Sequence, residues 1–382
     1  MPRADLYELA ETYRPQFPVF RSSVYLNSCS LGPLSQRARA ALSEFAHLWD
    51  DRGAAAWYDS WLKACDDLRS AIARLLGADT AEIALAPSIS GALSTISSAI
   101  DFKARPRLVT TELDFPTLVY QYRAKEQLGV ELVVLKSPDG VSVPLDAFAE
   151  VVDEHTALVA TSHVYFTTGA IQDVAALADL AHEAGALCLI DAYQSTGQLP
   201  VEARRLNVDF LVSGALKWLL GGPGLAFAYV RQPLIERLEP TAVSWFGVED
   251  QFEFNVSRLR LRRDARRFEL GTPAVPSVYT ARAGLEIIEE ARIERIRARV
   301  SSLTEDLLER ARSAGLRVRG APTAEMRSGI VMIEDADPAQ TVGRLADAGI
   351  VCDHRPGAVR LSPHFYNTTE DNERAISVLA KR

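Results

Sequence analysis

The sequence has little of what several protein classes require. It contains only four cysteines and no CxxC pair, which argues against a disulfide framework and against a zinc site. No apolar run reaches the roughly 18 residues that a membrane-spanning helix needs. No GxGxxG follows a strand pattern, so a dinucleotide-binding enzyme of the Rossmann type is disfavoured.

The sequence also has fewer basic than acidic residues, 42 Lys and Arg against 50 Asp and Glu. The 382 residues carry a formal net charge of −8, and the chain therefore has no electrostatic reason to bind nucleic acid. One basic stretch, Arg258–Arg267, is interpreted as a solvated helix face or a contact with a neighbouring subunit. Residues 1–6 lack the basic-then-apolar pattern of a signal peptide, so a cytoplasmic location is expected, with no membrane partner and no metal.

Apolar, β-rich runs alternate with amphipathic helical stretches until about residue 235. Two such helices are predicted at Asp146–Val152 and Ala175–Ala184. The alternation predicts an α/β fold with a mainly parallel sheet covered by helices on both faces. Seven strands are predicted, at Ile83–Ala86, Arg107–Thr111, Glu131–Leu135, Ala157–Thr161, Leu187–Ile190, Phe210–Val212 and Leu225–Val230.

The C-terminal third has a different pattern. A long helical periodicity over Val278–Ala314 stops at Gly315 and leads into a small α+β unit. We therefore predict an N-terminal arm at 1–20, a large domain at 21–275, and a linking helix with a small domain at 276–382. The small unit is predicted to hold strands at Arg317–Arg319, Gly329–Ile333 and Val359–Ser362, and helices at Ala339–Ala348 and Glu370–Lys381.

Polar residues that follow the apolar strands are the candidates for function, because ligands of open parallel sheets bind at the carboxyl ends of the strands. Asp191 comes directly after the run LCLI, where it is either a functional carboxylate or a helix N-cap. Lys217 is the single lysine in SGALKWLLGGPG. It is either a lysine desolvated for reaction with a carbonyl or a lysine that extends from a loop into water.

Three further places follow the same logic. Ser88, Ile89 and Ser90 open a helix, which makes either a phosphate site or an ordinary serine cap. Phe115 follows a strand and either lies on a flat ligand or packs in the core. Arg360 lies inside an apolar strand and either grips a carboxylate or forms a structural ion pair.

Taken together, these candidates match the needs of pyridoxal 5'-phosphate (PLP). This cofactor requires a lysine for its imine, a carboxylate for its pyridine nitrogen, a phosphate cradle and an aromatic face. The 26 residues from Asp191 to Lys217 leave room for one helix and one strand, which would return the lysine to the aspartate.

The sequence resembles class V of the fold-type I PLP enzymes, the aminotransferase-like group that includes kynureninases and cysteine desulfurases. The resemblance covers about Tyr25 to Leu379. It implies that Lys217 carries the cofactor as a Schiff base, that Asp191 binds the pyridine nitrogen and that Gln194 binds the phenolic oxygen. It also implies a homodimer with active sites at the interface.

The same resemblance assigns the remaining contacts. Ile89 and Ser90 would hold the phosphate, Phe115 would stack on the ring, and Ser213 would belong to the cofactor site. The partner subunit would contribute Thr272 and Trp245 at the phosphate. The resemblance places three further residues at the substrate: Arg360 at the α-carboxylate, with Asn27 and Tyr165 in the pocket wall.

Several stretches favour the kynureninase branch, namely YLNSCSLGPL, DFPT, HVYFTTG, SWFG and CDHRPG. The sequence departs from kynureninases at Gln194, Leu216 and Leu118, where they usually carry His, Tyr and Asp. Cys352 follows an apolar run and is predicted to be a core cysteine, which disfavours persulfide chemistry.

The expected reaction is therefore kynureninase-like cleavage of the side chain of a small α-amino acid, by a C–C or C–S lyase. Class V transamination is the main alternative, and desulfuration, epimerisation and cyclisation also remain. A non-catalytic PLP-fold binding protein is the alternative from a different class.

Overall fold

The computed structural model describes residues 3–381, and the side chains of residues 8–381. None of the helices in that range is both long and apolar enough to cross a membrane. Twelve α-helices are described: α1 Arg3–Tyr13, α2 Gln36–Arg52, α3 Leu62–Leu76, α4 Ile89–Ser98, α5 Pro116–Arg123, α6 Leu145–Ala149, α7 Val174–Glu183, α8 Gln232–Ile235, α9 Val275–Ala291, α10 Ile293–Ser313, α11 Pro338–Asp347 and α12 Thr369–Leu379.

The strands form one large and two small sheets. Their bounds are β1 Val24–Tyr25, β2 Ile83–Ala86, β3 Arg107–Thr111, β4 Glu131–Leu135, β5 Thr156–Ser162, β6 Leu187–Asp191, β7 Phe210–Gly214, β8 Ala226–Val230, β9 Val318–Arg319, β10 Val331–Glu334, β11 Ile350–Val351, β12 Asp353–Arg355 and β13 Ala358–Leu361.

The large sheet has seven strands in the order β2-β8-β7-β6-β5-β3-β4. Only β8 is antiparallel to its neighbours β2 and β7, so the other six strands point in one direction. The predicted mainly parallel α/β sheet is confirmed. The carboxyl ends of six strands meet at one edge, which is where the candidate residues were expected.

Helices cover both faces of this sheet because its strands are apolar on both sides. On β6, Cys188 and Ile190 face one apolar cluster, whereas Leu189 faces another. The first cluster contains Leu68 of α3, Leu177 of α7 and Val278 of α9. The second contains Leu93 of α4 and Leu118 of α5.

The C-terminal unit is built on an antiparallel sheet in the order β12-β13-β10-β9. Strand β1 pairs in parallel with β11, so Val24 and Leu26 pack in the apolar core of this unit together with Leu307. The chain therefore enters the small unit once before it forms the large sheet. The domain boundaries given by the sequence stay a prediction.

Three local expectations were wrong. The helix expected over Val278–Ala314 is two helices, because Arg292 adopts φ +63° and ends α9. The segment 192–209 between β6 and β7 forms turns and no helix. The helix face suggested for Arg258–Arg267 is the third, because this stretch is mostly irregular, with one short 3-10 turn at Ala265–Phe268. The alternative, a contact with a neighbouring subunit, stays a prediction.

Candidate active site

Asp191 is the last residue of β6 and is buried. Its Oδ1 accepts a hydrogen bond of 2.8 Å from the backbone N–H of Tyr193. Burial raises the pKa of the Asp191 carboxyl to about 6, although the Tyr193 N–H and the Lys217 charge both act in the opposite direction. A positively charged partner would stabilise the charged form of this buried carboxylate.

Lys217 lies in the loop between β7 and β8, close to that carboxylate. Its Nζ is 4.1 Å from the centroid of the Tyr193 ring and 5.9 Å from that of Phe115. Burial lowers the pKa of the Lys217 amine to about 8, against the opposing charge of Asp191. The structure therefore brings together Asp191, Lys217 and Phe115, as the sequence predicted.

Three glycines lie against the backbone of residues 215–225, the loop that carries Lys217 and is called the lysine loop below. A Cβ atom on Gly32 would lie 2.3 Å from the Lys217 carbonyl oxygen, and one on Gly284 would lie 2.2 Å from the Leu219 oxygen. Gly197 has φ +95°, and a Cβ there would lie 2.6 Å from the Trp218 oxygen. Neighbouring backbones can approach this loop only because these residues have no side chain.

Gln194 and Ser213 are engaged with the protein itself. Gln194 Nε2 donates to the Cys29 oxygen at 3.0 Å, and its Oε1 accepts from Trp218 Nε1 at 2.8 Å. Gln194 thus joins the lysine loop to the segment that contains Cys29. The hydroxyl of Ser213 is buried against the hydroxyl of Thr196 and the Ala192 oxygen.

The first turn of α4 lies at the carboxyl end of β2. The Ser88 hydroxyl accepts from the Gly91 N–H at 3.1 Å, while Ile89 and Ser90 are partly exposed. Gln121 of α5 donates to the Ser90 carbonyl at 3.1 Å, which ties the start of α4 to the C-terminal half of α5. The unpaired N–H groups of such a first turn favour an anion.

Arg360 of β13 is buried and forms a fork with Asp353 of β12. Its Nε and Nη2 donate to the two oxygens of Asp353 at 2.7 and 2.6 Å. Burial tends to raise the pKa of Asp353, but hydrogen bonds from Arg360 and Ser30 outweigh it and hold that pKa below its ordinary value. The sequence did not single out Asp353 or the adjacent Arg355.

Asp114 is a second buried carboxylate that sequence reasoning missed. Its oxygens accept from the hydroxyls of Thr110, Thr111 and Thr161 at 2.8–3.1 Å and from backbone N–H groups of Thr111 and Ser162 at 2.9 and 2.6 Å. It therefore ties the ends of β3 and β5 together. The available signal was its position directly before Phe115, just past a strand.

The two predicted pocket residues lie in different surroundings. Tyr165 is fully buried, and burial together with the nearby charge of Asp114 raises the pKa of its phenol. Asn27 is partly exposed, and its Oδ1 lies 3.9 Å from the Cys29 sulfur. Of the two, Asn27 is the accessible one.

Trp245 and Thr272 lie apart from the lysine. Trp245 packs against the rings of Phe246, Phe252 and Phe254. Thr272 is exposed and lines a small cavity with Ala86 and Pro87. In the described part of the chain, neither residue forms a hydrogen bond or ring contact with Lys217 or Asp191.

The assembled residues fit PLP. The Lys217 amine lies near two aromatic rings, those of Phe115 and Tyr193, and near the buried carboxylate of Asp191. The Tyr193 ring fits closely over Gly214, where a Cβ atom would lie 2.7 Å from it. The start of α4 can hold a phosphate, and the Arg360 cluster can attract a carboxylate.

Comparison with known proteins gives the family. Residues 50–374 match the family described as Aminotransferase class-V. An uncharacterized aminotransferase of Bacillus subtilis (strain 168), YcbU, is 34% identical over 98% of both chains. The kynureninase of Bacillus anthracis is 28% identical over 99% of this chain and 92% of that protein.

Among solved structures, C-DES, a cystine C–S lyase, has the same fold. A form of it with glycine covalently linked to the PLP cofactor gives a TM-score of 0.89 at 19% identity, covering 96% of this chain and 99% of that one. This likeness confirms the expected fold, and the match to the class V aminotransferase family confirms the expected cofactor. The chain belongs to the class V aminotransferase family and is a PLP-dependent enzyme.

Proposed function

We propose that Lys217 holds PLP covalently and that the enzyme cleaves the side chain of a small α-amino acid. The observation that carries the proposal is the position of the Lys217 amine, 4.1 Å from the Tyr193 ring and 5.9 Å from the Phe115 ring, with a pKa lowered to about 8. An amine with a lowered pKa is a nucleophile and a general base near neutral pH.

The bound cofactor supplies an electron-withdrawing ring that acidifies the Cα–H bond of an attached amino acid. Asp191 keeps a proton on the ring nitrogen, because its buried carboxylate favours a cationic partner. With a substrate bound there, Lys217 Nζ would be the base that takes the proton from its Cα. The rings of Phe115 and Tyr193 supply aromatic surface next to this amine.

The substrate carboxylate is proposed to bind at the arginine cluster of β12 and β13. Arg360 is the residue that the family resemblance assigns to this contact, and Arg355 lies beside it, with Nη1 3.4 Å from Asp353. Ile89 and Ser90 at the start of α4 are proposed to hold the phosphate. Gln194 would bind the phenolic oxygen, and Ser213 would belong to the cofactor site.

Two observations favour side-chain cleavage over desulfuration. The kynureninase of Bacillus anthracis is similar over almost the entire chain. Cys352 lies in the apolar core, where burial raises the pKa of its thiol to about 12, and only Pro356 and Gly357 separate β12 from β13. A buried thiol on this tight hairpin is poorly placed to accept sulfur.

Transamination is the second candidate. It is favoured by YcbU, which is named an aminotransferase and is 34% identical to this chain. Both reactions begin with removal of the Cα proton by Lys217, so the same residues serve either outcome. What would separate them is the later step: transamination would leave the substrate's amino group on the cofactor, whereas a lyase would break a bond in the substrate side chain.

We also propose a homodimer in which Trp245 and Thr272 act at the partner's cofactor. The side chains of Phe254 and Val256 are 73% and 100% exposed, and they line one cleft with Trp245 and Leu259. An exposed apolar patch of this kind is typical of a protein interface.

The test is an absorbance spectrum of the purified protein, followed by spectra with a panel of amino acids. Borohydride reduction should fix the cofactor on Lys217, as read by peptide mass, and Lys217→Ala should abolish that attachment. Pyruvate or alanine as a product would identify a lyase, whereas a 2-oxo acid with the amino form of the cofactor would identify an aminotransferase. Absence of any cofactor band after addition of PLP would overturn the proposal.

A further inference from the structure

The reactive amine of Lys217 lies over the face of the Tyr193 ring. Its Nζ is 4.1 Å from the centroid of this ring, compared with 5.9 Å for the ring of Phe115. Among the side chains of residues 8–381, none forms a hydrogen bond or an ion pair with Lys217 Nζ. A protonated Lys217 is thus in direct contact with an aromatic face and not with a carboxylate.

The Tyr193 ring is held in this place by contacts that do not involve the lysine. The backbone N–H of Tyr193 donates to Asp191 Oδ1 at 2.8 Å. The ring fits against Gly214 at the end of β7, where a Cβ atom would lie 2.7 Å from a ring carbon. Burial and the nearby charge of Asp191 raise the pKa of the phenol, so the ring stays uncharged around neutral pH. Tyr193 therefore presents a fixed, neutral ring to the amine.

An aromatic face attracts a cation, because the electron density of the ring makes its face negative. This attraction is strongest where water is excluded, and burial of Lys217 already disfavours its charged form. The charge of Asp191 favours the ammonium, but in the proposed function this carboxylate pairs with the cofactor. The Tyr193 ring has no such competing partner, so its attraction remains available to the lysine.

We propose that the face of the Tyr193 ring stabilises the ammonium form of Lys217, which adds Tyr193 to the catalytic residues of this enzyme. Lys217 is an ammonium immediately after its Nζ has taken the proton from the substrate Cα. A ring that lowers the free energy of this state makes Lys217 a stronger base. The inference rests on the proposed function, because it concerns the lysine that removes the Cα proton there.

A graded series of rings at position 193 tests the contact. Tyr193→Phe and its mono-, di- and trifluorinated forms keep the shape of the ring, while each fluorine withdraws electron density from the face that attracts the cation. The pKa of Lys217 should fall stepwise along this series, by roughly 0.4–1.5 between its first and last members. Fluorinated rings are needed because they hardly alter the packing of the site.

The pKa is measured on the full-length protein before PLP is added. Acetic anhydride acetylates only neutral amines, so the pH dependence of Lys217 acetylation, read by peptide mass, gives its pKa. The exposed Lys103 serves as the internal reference in each sample. The same fluorinated series at Tyr120, which is 68% exposed on α5, is the matched control and should leave the pKa of Lys217 at its wild-type value.

Tyr193→Leu distinguishes attraction by the ring from simple packing. Loss of the attraction should lower the pKa of Lys217. Loss of packing alone should instead admit water and raise this pKa toward the ordinary 10.5, because burial is what lowers it. The two roles of Tyr193 therefore predict shifts of opposite sign.

The outcomes separate this inference from the proposed function. If borohydride fixes no PLP on Lys217 of the wild type, the proposed function fails, and the catalytic role of Tyr193 fails with it. If PLP is fixed there but the pKa of Lys217 stays constant or rises along the fluorinated series, the inference alone is overturned. A rise of this pKa in Tyr193→Leu would likewise overturn the inference alone.

Discussion

The most consequential change in any single residue is the desolvation of Lys217. An amine with the ordinary pKa of 10.5 is almost wholly protonated at pH 7, and a pKa of about 8 raises its neutral fraction roughly 300-fold. Burial lowers this pKa, whereas the charge of Asp191 raises it. The site therefore keeps the Asp191 carboxylate as an anion for the cofactor, while burial leaves a larger fraction of the Lys217 amine neutral.

This balance predicts the pH dependence of cofactor capture by the apoprotein. Only the neutral amine attacks the PLP aldehyde, so the capture rate should rise with pH and level off above about 8. Asp191→Asn removes the anion that favours the ammonium form, and it should move the midpoint to lower pH. Stopped-flow absorbance over a pH series measures both midpoints, and a midpoint near that of free lysine would contradict the prediction.

The sequence identified some residues of this site and missed others for a physical reason. Asp191, Lys217 and Phe115 each follow an apolar strand, and parallel strands bring their carboxyl ends to one edge. Asp353 and Arg355 become visible only through the pairing of β12 with β13, which residue patterns do not reveal. Tyr193 faces Lys217 because the turn after Asp191 directs its ring over Gly214.

Among the elements, the lysine loop depends on close backbone contacts. Gly32→Ala would place a methyl group 2.3 Å from the Lys217 oxygen, and overpacking of this kind costs about 1–3 kcal/mol. We expect the variant to lose thermal stability and to bind PLP more weakly, because the loop that positions Nζ must shift.

Gly343→Ala is the control for this substitution. Gly343 lies within α11 with nothing near the added methyl group, so the helix should gain up to about 1 kcal/mol with unchanged PLP affinity. PLP titration and thermal unfolding of the two variants provide the comparison. Equal PLP affinity in Gly32→Ala and the wild type would contradict the prediction, because it would show that the loop accommodates the methyl group without moving Nζ.

The break between α9 and α10 shows what periodicity cannot reveal. The apolar pattern continues across Arg292, yet this residue adopts φ +63° and ψ 125°, a conformation that side chains disfavour. Arg292→Gly should relieve the strain and raise the free energy of unfolding by about 1 kcal/mol. Arg292→Ala should not raise the free energy of unfolding, because alanine keeps the Cβ atom. Urea denaturation of the two variants therefore distinguishes relief of backbone strain from loss of the arginine side chain.

At the scale of the whole molecule, the alternation of strands and helices predicts a mainly parallel central sheet, but it predicts neither the order of its strands nor the path of the termini. The two-residue strands β1 and β11 are too short to stand out in a sequence, although their pairing draws the segment after the N-terminal helix into the C-terminal unit. The stretch around Trp245 has no regular periodicity, and the role proposed for its exposed aromatic residues requires a second chain.

Mixed dimers test whether Trp245 acts at the partner's cofactor site. If Trp245 acts at the partner's site, a dimer of one Lys217→Ala chain and one Trp245→Ala chain contains one intact site, with the lysine from one chain and the tryptophan from the other. It should bind PLP with wild-type affinity at half the wild-type stoichiometry. Phe115 borders Lys217 within one chain, so a mixed dimer of Lys217→Ala and Phe115→Ala should contain no intact site. Equal PLP binding by the two mixed dimers, or a monomer in size-exclusion chromatography, would refute the shared site and leave the exposed apolar cleft to another partner.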